Sequence, residues 1–162
     1  MTSIEKYFNA EKSESLLFVL VGVVTITLAI YFFFKLKEPF YNGIGLAFAL
    51  IALIQLTVGT SVYIRSPKDI IRVQAMVSNE PSKIPSEEIP RMETVMKNFV
   101  IYRWIEIALI IIGLVLFFAM KSNSILKGGG LGLFIQAGFM LLLDYFAESR
   151  GKEYMTFLRE LL

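Results

Sequence analysis

Four stretches of the chain run for about twenty residues with scarcely a charge, and the polar positions gather into clusters between them. Leu16 to Phe34 has only hydroxyl polarity, at Thr25 and Thr27, and closes on YFFFKLK, an aromatic band followed by lysines able to snorkel to headgroups. Phe40 to Ile64 is uncharged throughout, Phe99 to Met120 is apolar from Ile107 onward, and Gly128 to Ala147 is uncharged as far as Asp144. A helix rising about 1.5 Å per residue needs about 20 apolar residues to cross about 30 Å of hydrocarbon, and lipid satisfies no open backbone group. The pattern predicts an all-α integral membrane protein with four transmembrane helices, over about residues 16–36, 40–64, 99–120 and 126–147 of one membrane domain, 1–162. The short connections KLKEPFYNG and KSNSILKGGG set these spans in two hairpins.

The polar stretch between spans two and three, residues 66–98, also reads as helical. Ser66 is an N-cap candidate and Pro67 suits a first helical position, so a helix is expected from Pro67 to about Val77, with Ile70, Ile71, Val73, Met76 and Val77 on its apolar side. NEPSKIP breaks it. Ser86 is placed to cap the next helix, with Glu87 and Glu88 in its first turn and Pro90 early enough to be tolerated. No breaker separates Pro90 from Gly113, so the third span is expected to begin as a cytoplasmic helix two or three turns before the membrane. Ile89, Met92, Met96, Phe99, Arg103 and Glu106 then lie on one helical stripe, which carries two charges into the apolar run.

The N-terminal MTSIEKYFNAEKSES mixes acids and bases and lacks a small-residue cleavage site, so the first span is expected to be retained. Ile4, Tyr7 and Phe8 at i, i+3, i+4 suit a short amphipathic helix on the membrane surface; a frayed tail is the alternative. Shifting the chain by 85 positions aligns Phe33 with Phe118, Gly43 with Gly128, Gly45 with Gly130, Leu46 with Leu131, Ala52 with Ala137, Leu56 with Leu141 and Arg65 with Arg150. A duplicated hairpin in parallel orientation and chance similarity between apolar helices both explain these matches. GGGLG at 128–132 completes no phosphate-loop motif, and Gly128 and Gly132 at small-xxx-small spacing read instead as a close helix approach.

Composition sharpens the membrane reading, with 56% hydrophobic and 19% charged residues and a mean hydropathy of +0.64. No cysteine and no histidine remove thiolate chemistry, the commonest metal ligand and the commonest general base. No nucleophile–base pair, metal-ligand cluster or cofactor motif is visible, so no catalytic site, no metal and no cofactor are expected and the chain does not read as an enzyme. A net charge of +2 with scattered basic residues argues against nucleic acid as a partner. Eleven Lys or Arg residues fall on the side of the termini and the middle loop against four (Lys35, Lys37, Lys121, Lys127) on the other. This bias places both termini in the cytoplasm, in the manner of a bacterial inner-membrane protein.

Candidate chemistry then narrows to a few polar residues. Arg103 and Glu106 are able to bridge at i, i+3, and Asp144 enters from the same side on the fourth span at a depth close to that of Arg103, with Glu148 and Arg65 nearer the water. An Arg103–Asp144 bridge is therefore expected, and Trp104 marks the interface at this level. Glu106 lies about 14 Å along the helix from Lys97 at about 1.5 Å per residue. The cluster Arg103, Glu106 and Asp144 either fixes the packing register or forms a proton or cation site. Gln55 and Gln136, near the middle of spans two and four, suit an interhelical hydrogen bond of about 0.6 kcal/mol or a polar pathway lining. The leading expectation is a self-associating membrane-embedded interaction, scaffold or sensor subunit. It would be partnered by the bilayer, by copies of itself and by a cytoplasmic protein that meets the helical loop. The alternative is an oligomeric channel or transporter for ions, protons or small solutes.

Overall fold

In the computed structural model, residues 2–161 are described. They form four long helices, α1 (Ser3–Tyr31), α2 (Pro39–Asn79), α3 (Ile89–Ala119) and α4 (Ile125–Glu160), each long and apolar enough to cross a membrane. No strand occurs among the described residues. Thr2 opens α1 with a capping box, its hydroxyl accepting from Glu5 N while the Glu5 carboxylate accepts from Thr2 N. The helix widens into a π-type turn over Phe32–Leu36, and Lys37 ends it in the left-handed region at φ 54°. Pro39 then starts α2 where its fixed φ is an advantage. Ser124 caps α4 by accepting from Lys127 N at 3.2 Å.

Three local expectations are corrected. The N-terminal segment is neither a surface helix nor a tail: it is the first part of α1, and Ile4, Tyr7 and Phe8 are buried in a core made with the far end of α4. The i, i+3, i+4 spacing marked a buried face, but its occluding partner lies at the other end of the chain. No new helix starts at Pro67, because α2 continues through it to Asn79. Proline removes one backbone donor there, and Ser66, instead of capping, is fully buried and donates its hydroxyl to Val62 O at 2.7 Å. Nor does Ser86 cap a helix: its hydroxyl donates to Ser82 O within a π-type turn over Ile84–Glu88, from which α3 continues directly. The early start of α3 agrees with the unbroken sequence, and every member of its stripe from Ile89 to Glu106 is buried or half-buried.

Helix α1 packs on α2, α2 on α4, and α4 on α3, so α2 and α4 form the middle of the arrangement. Small residues permit this contact. A Cβ on Gly43 would run into Ile125 O and Gly129 N, and one on Gly128 would run into Phe40 O and Ile44 N. These contacts are reciprocal at the shift of 85, since Phe40 corresponds to Ile125 and Ile44 to Gly129. Ala47 and its equivalent Gly132 also meet directly, a Cβ on Gly132 falling 2.8 Å from that of Ala47. The two helix pairs thus meet about a local twofold relation through Gly-xxx-Ala on α2 and Gly-xxx-Gly on α4.

Burial divides the molecule along its length. From Leu16 to Phe34 and in the matching stretches of α2, α3 and α4, large apolar side chains point outward, Phe118 being 78% exposed. At the end that holds both termini the arrangement is conventional: Phe8, Val73, Met92 and Leu158 are fully buried, with Ile84, Tyr154 and Met155 packed around them. Tyr7 and Tyr154 stack with ring centroids 4.3 Å apart. The apolar belt and this core end are continuous, because the same four helices build both.

Candidate functional site

The polar residues enclosed by these helices fall at three levels. In the belt, Gln55 of α2 and Gln136 of α4 are buried, and Gln55 Nε2 donates to Gln136 Oε1 at 3.1 Å. This is the interhelical hydrogen bond expected of them. It leaves Gln55 Oε1 and Gln136 Nε2 without partners.

Nearer the core end, α3 and α4 bring Arg103, Glu106, Asp144 and Glu148 together. The expected Arg103–Asp144 bridge is not formed: Arg103 pairs with Glu148, one turn further along α4. Glu148 reaches both Arg103 and, at 2.8 Å, Lys152. Its position one turn nearer the water was visible in the sequence, but the axial offset of α4 against α3 that selects it over Asp144 was not. None of the ion pairs among the described residues includes Asp144 or Glu106. Glu106 is 2% exposed, and its carboxylate receives no hydrogen bond from a basic, hydroxyl or backbone group; the polar group within hydrogen-bonding reach is the Asp144 carboxyl. Asp144 is its acidic neighbour. Beside them a cleft of about 440 Å³ separates α3 from α4, with Arg103, Asp144 and Glu148 on its walls.

At the core end a third group of charges centres on Glu88, both of whose oxygens are bonded. Glu88 is 0% exposed and accepts from Arg72 at 2.9 Å, from Arg91 at 2.7 and 3.0 Å, and from the Tyr154 hydroxyl at 3.0 Å. Burial pushes its carboxyl upward, but the hydrogen bonds and charges of Arg91 and Arg72 outweigh this and hold it below the ordinary value. Burial followed by the nearby Glu88 pushes the Tyr154 phenol up. Asp69 joins the network by bridging Arg65 and Arg72. Glu14 of α1 pairs with Arg150 of α4, though burial still leaves its carboxyl above the ordinary value. The sequence reading placed Glu88 in a first helical turn and missed its role. The available signal was the stripe Gly151, Tyr154, Met155 and Leu158, whose helical spacing marks the end of α4 as a buried face.

Comparison with known protein families, with curated proteins and with solved structures returns no match.

Proposed function

We propose that the chain is a transmembrane protein of two hairpins, α1 with α2 and α3 with α4, and a self-associating proton- or cation-exchanging subunit whose working groups are Glu106 and Asp144. Insertion is supported by the outward-facing apolar belt, which water would penalise at about 25 cal/mol per Å². Orientation with the core end in the cytoplasm rests on the eleven-to-four bias of Lys and Arg.

One observation carries the functional reading: Glu106 is enclosed by protein, has no basic partner, and faces a second acid, Asp144, within hydrogen-bonding reach. A carboxylate kept only to fix helix register would be paired, since an unpaired buried charge costs several kcal/mol. Its closest sequence candidate, Arg103, is engaged by Glu148. Enclosed, unpaired acids in transmembrane helices mark proton and ion pathways. Four helices leave little interior space, so continuous passage calls for assembly of several copies.

The interaction-subunit reading retains one supporting observation, Ile71, 70% exposed on the cytoplasmic part of α2. It stands second because Val73 and Met76, the rest of that apolar side, are buried in the chain's own core.

The test is proton or monovalent-cation flux in liposomes holding the purified protein. Wild type is expected to dissipate an imposed gradient, and Glu106→Gln to lose at least tenfold in rate while keeping its oligomeric state. Equal rates for the two, or no flux from a well-folded wild type, would overturn the reading in favour of the interaction subunit.

A further inference from the structure

We propose that the cleft between α3 and α4 binds an amphipathic monocation, entering sideways from the cytoplasmic leaflet, with Asp144 as its counter-charge and the space over Gly138 as the seat of its apolar body. The inference rests on the reading of Glu106 and Asp144 as working groups and names the class of molecule that meets them. The cleft holds about 440 Å³, within the range of small-molecule sites. Phe99, Ile107, Leu141, Leu142 and Tyr145 give it apolar walls. Leu142 and Tyr145 are themselves exposed on the belt, so the opening faces lipid rather than the bundle interior. Gly138 has no atom within 4 Å of the position a Cβ would take, which sets it apart from the glycines at helix contacts.

Charge selects the occupant. The charged residues lining the cleft are Arg103, paired with Glu148, and Asp144, which has no ion-pair partner, so the lining carries one negative charge in excess; Lys152, the other partner of Glu148, lies outside the lining. An anion would meet that carboxylate with no free cation to hold it, and a neutral amphiphile would leave it uncompensated. A bare divalent ion would call for converging ligands, and no group of three acidic, histidine or cysteine side chains suited to a metal occurs among the described residues. A single positive charge on an apolar body satisfies both the carboxylate and the walls. The enclosed Glu106, within hydrogen-bonding reach of Asp144, is a second acid able to respond to such a charge.

The other helix pair shows that this cleft is not a by-product of the hairpin. At the shift of 85, Asp144 corresponds to Gly59, Arg103 to Phe18 and Glu106 to Val21. There the helices are in direct contact, a Cβ on Gly59 falling 2.8 Å from Ser15 O and 3.1 Å from Phe18 Cβ. One half of the twofold arrangement is closed and uncharged, while the other is open and acidic.

The experiment measures equilibrium binding of octyltrimethylammonium to the full chain in lipid nanodiscs by calorimetry, with octyl sulfate and octanol as matched probes. The ammonium is expected to bind saturably, at least tenfold more tightly than either control. Asp144→Asn should weaken it at least tenfold and Gly138→Leu should abolish saturable binding, with Gly138→Ala intermediate. The empty space over Gly138 leaves room for both side chains. Octyl sulfate binding as well as the ammonium, or unchanged ammonium binding in Asp144→Asn or Gly138→Leu, would overturn the proposal. Because no gradient is imposed, the two readings fail separately. Binding without flux would sink the exchange reading alone, and flux without binding would sink the cleft.

Discussion

A glutamate is buried at the start of α3 and another near its middle, and their surroundings differ. Glu88, just before the helix, is enclosed with four hydrogen bonds from Arg72, Arg91 and Tyr154. Glu106, five turns on at about 3.6 residues per turn, is enclosed with no such donor and faces the Asp144 carboxyl instead. The surroundings differ in the same sense. Around Glu88 the helices turn apolar side chains inward and charges outward, as a water-soluble bundle does; around Glu106 the apolar side chains face outward. A buried acid with its full set of donors explains how a fold is held together. A buried acid without a basic partner has a cost that the packing around Glu88 does not account for.

The largest effect that separates the two zones concerns their aromatic residues. Phe8→Ala removes a fully buried ring from the core end and is expected to cost about 3–5 kcal/mol in denaturant or thermal unfolding of the micelle-solubilised protein. Phe118→Ala removes an outward ring that is 78% exposed, and should change stability by about 0.5 kcal/mol or less, because acyl chains replace its contacts. Similar losses at both positions would mean that the belt buries Phe118 against protein, either within the chain or in a tight oligomer.

Next in size is Glu88→Gln, which leaves Arg72 and Arg91 facing an amide. Both arginines are partly exposed and can rehydrate, so the loss should be about 2–3 kcal/mol, below the full cost of breaking a buried pair. The pH dependence has a definite sign. Since the folded carboxyl lies below its ordinary value of 4.5, its contribution is present above that pH and is lost as pH falls through the lower folded value. Glu11 and Glu14 act oppositely: burial, only partly offset by Arg65 and Arg150, raises both, so their contribution is present below 4.5 and is lost as pH rises through their folded values. Subtracting the Glu88→Gln profile from that of wild type isolates the first term. A difference that stays constant between pH 3 and pH 6, roughly the range about the ordinary value, would show that Glu88 is not held as its contacts imply.

The four apolar helices, the early start of α3 and the Gln55–Gln136 contact were legible because each rests on local composition or on one helix face. The core end was not. Its contacts join Tyr7 to Tyr154 and Glu14 to Arg150, residues from opposite ends of the chain, and spacing alone shows that Ile4, Tyr7 and Phe8 share a face without showing what covers it. Pro67 misled for a related reason. A proline inside a helix costs about 3 kcal/mol, yet α2 runs through it with Ser66, Val73 and Met76 buried on either side. The partner of Arg103 depended on the axial offset of α4 against α3. Asp144 and Glu148 are one turn apart on the same face, so the sequence named the right face and the wrong carboxylate.

The smallest expected change completes the comparison with the same substitution made at the other glutamate. Glu106→Gln keeps the shape of the side chain, breaks no bond to a basic or hydroxyl group, and leaves an amide able to donate to the Asp144 carboxylate. Unfolding stability should therefore stay within about 0.5 kcal/mol of wild type or rise above it, against the clear loss at Glu88. A register-fixing role predicts the reverse: weakened assembly or folding in Glu106→Gln, with rescue when Arg103 is also replaced by Gln, because the two charges would then have been balancing each other. Measuring both single variants and the double variant in one unfolding series decides between these outcomes independently of any flux. A coupling between Arg103 and Glu106 above about 1 kcal/mol would make Glu106 a structural residue like Glu88 and remove the ground for assigning it transport.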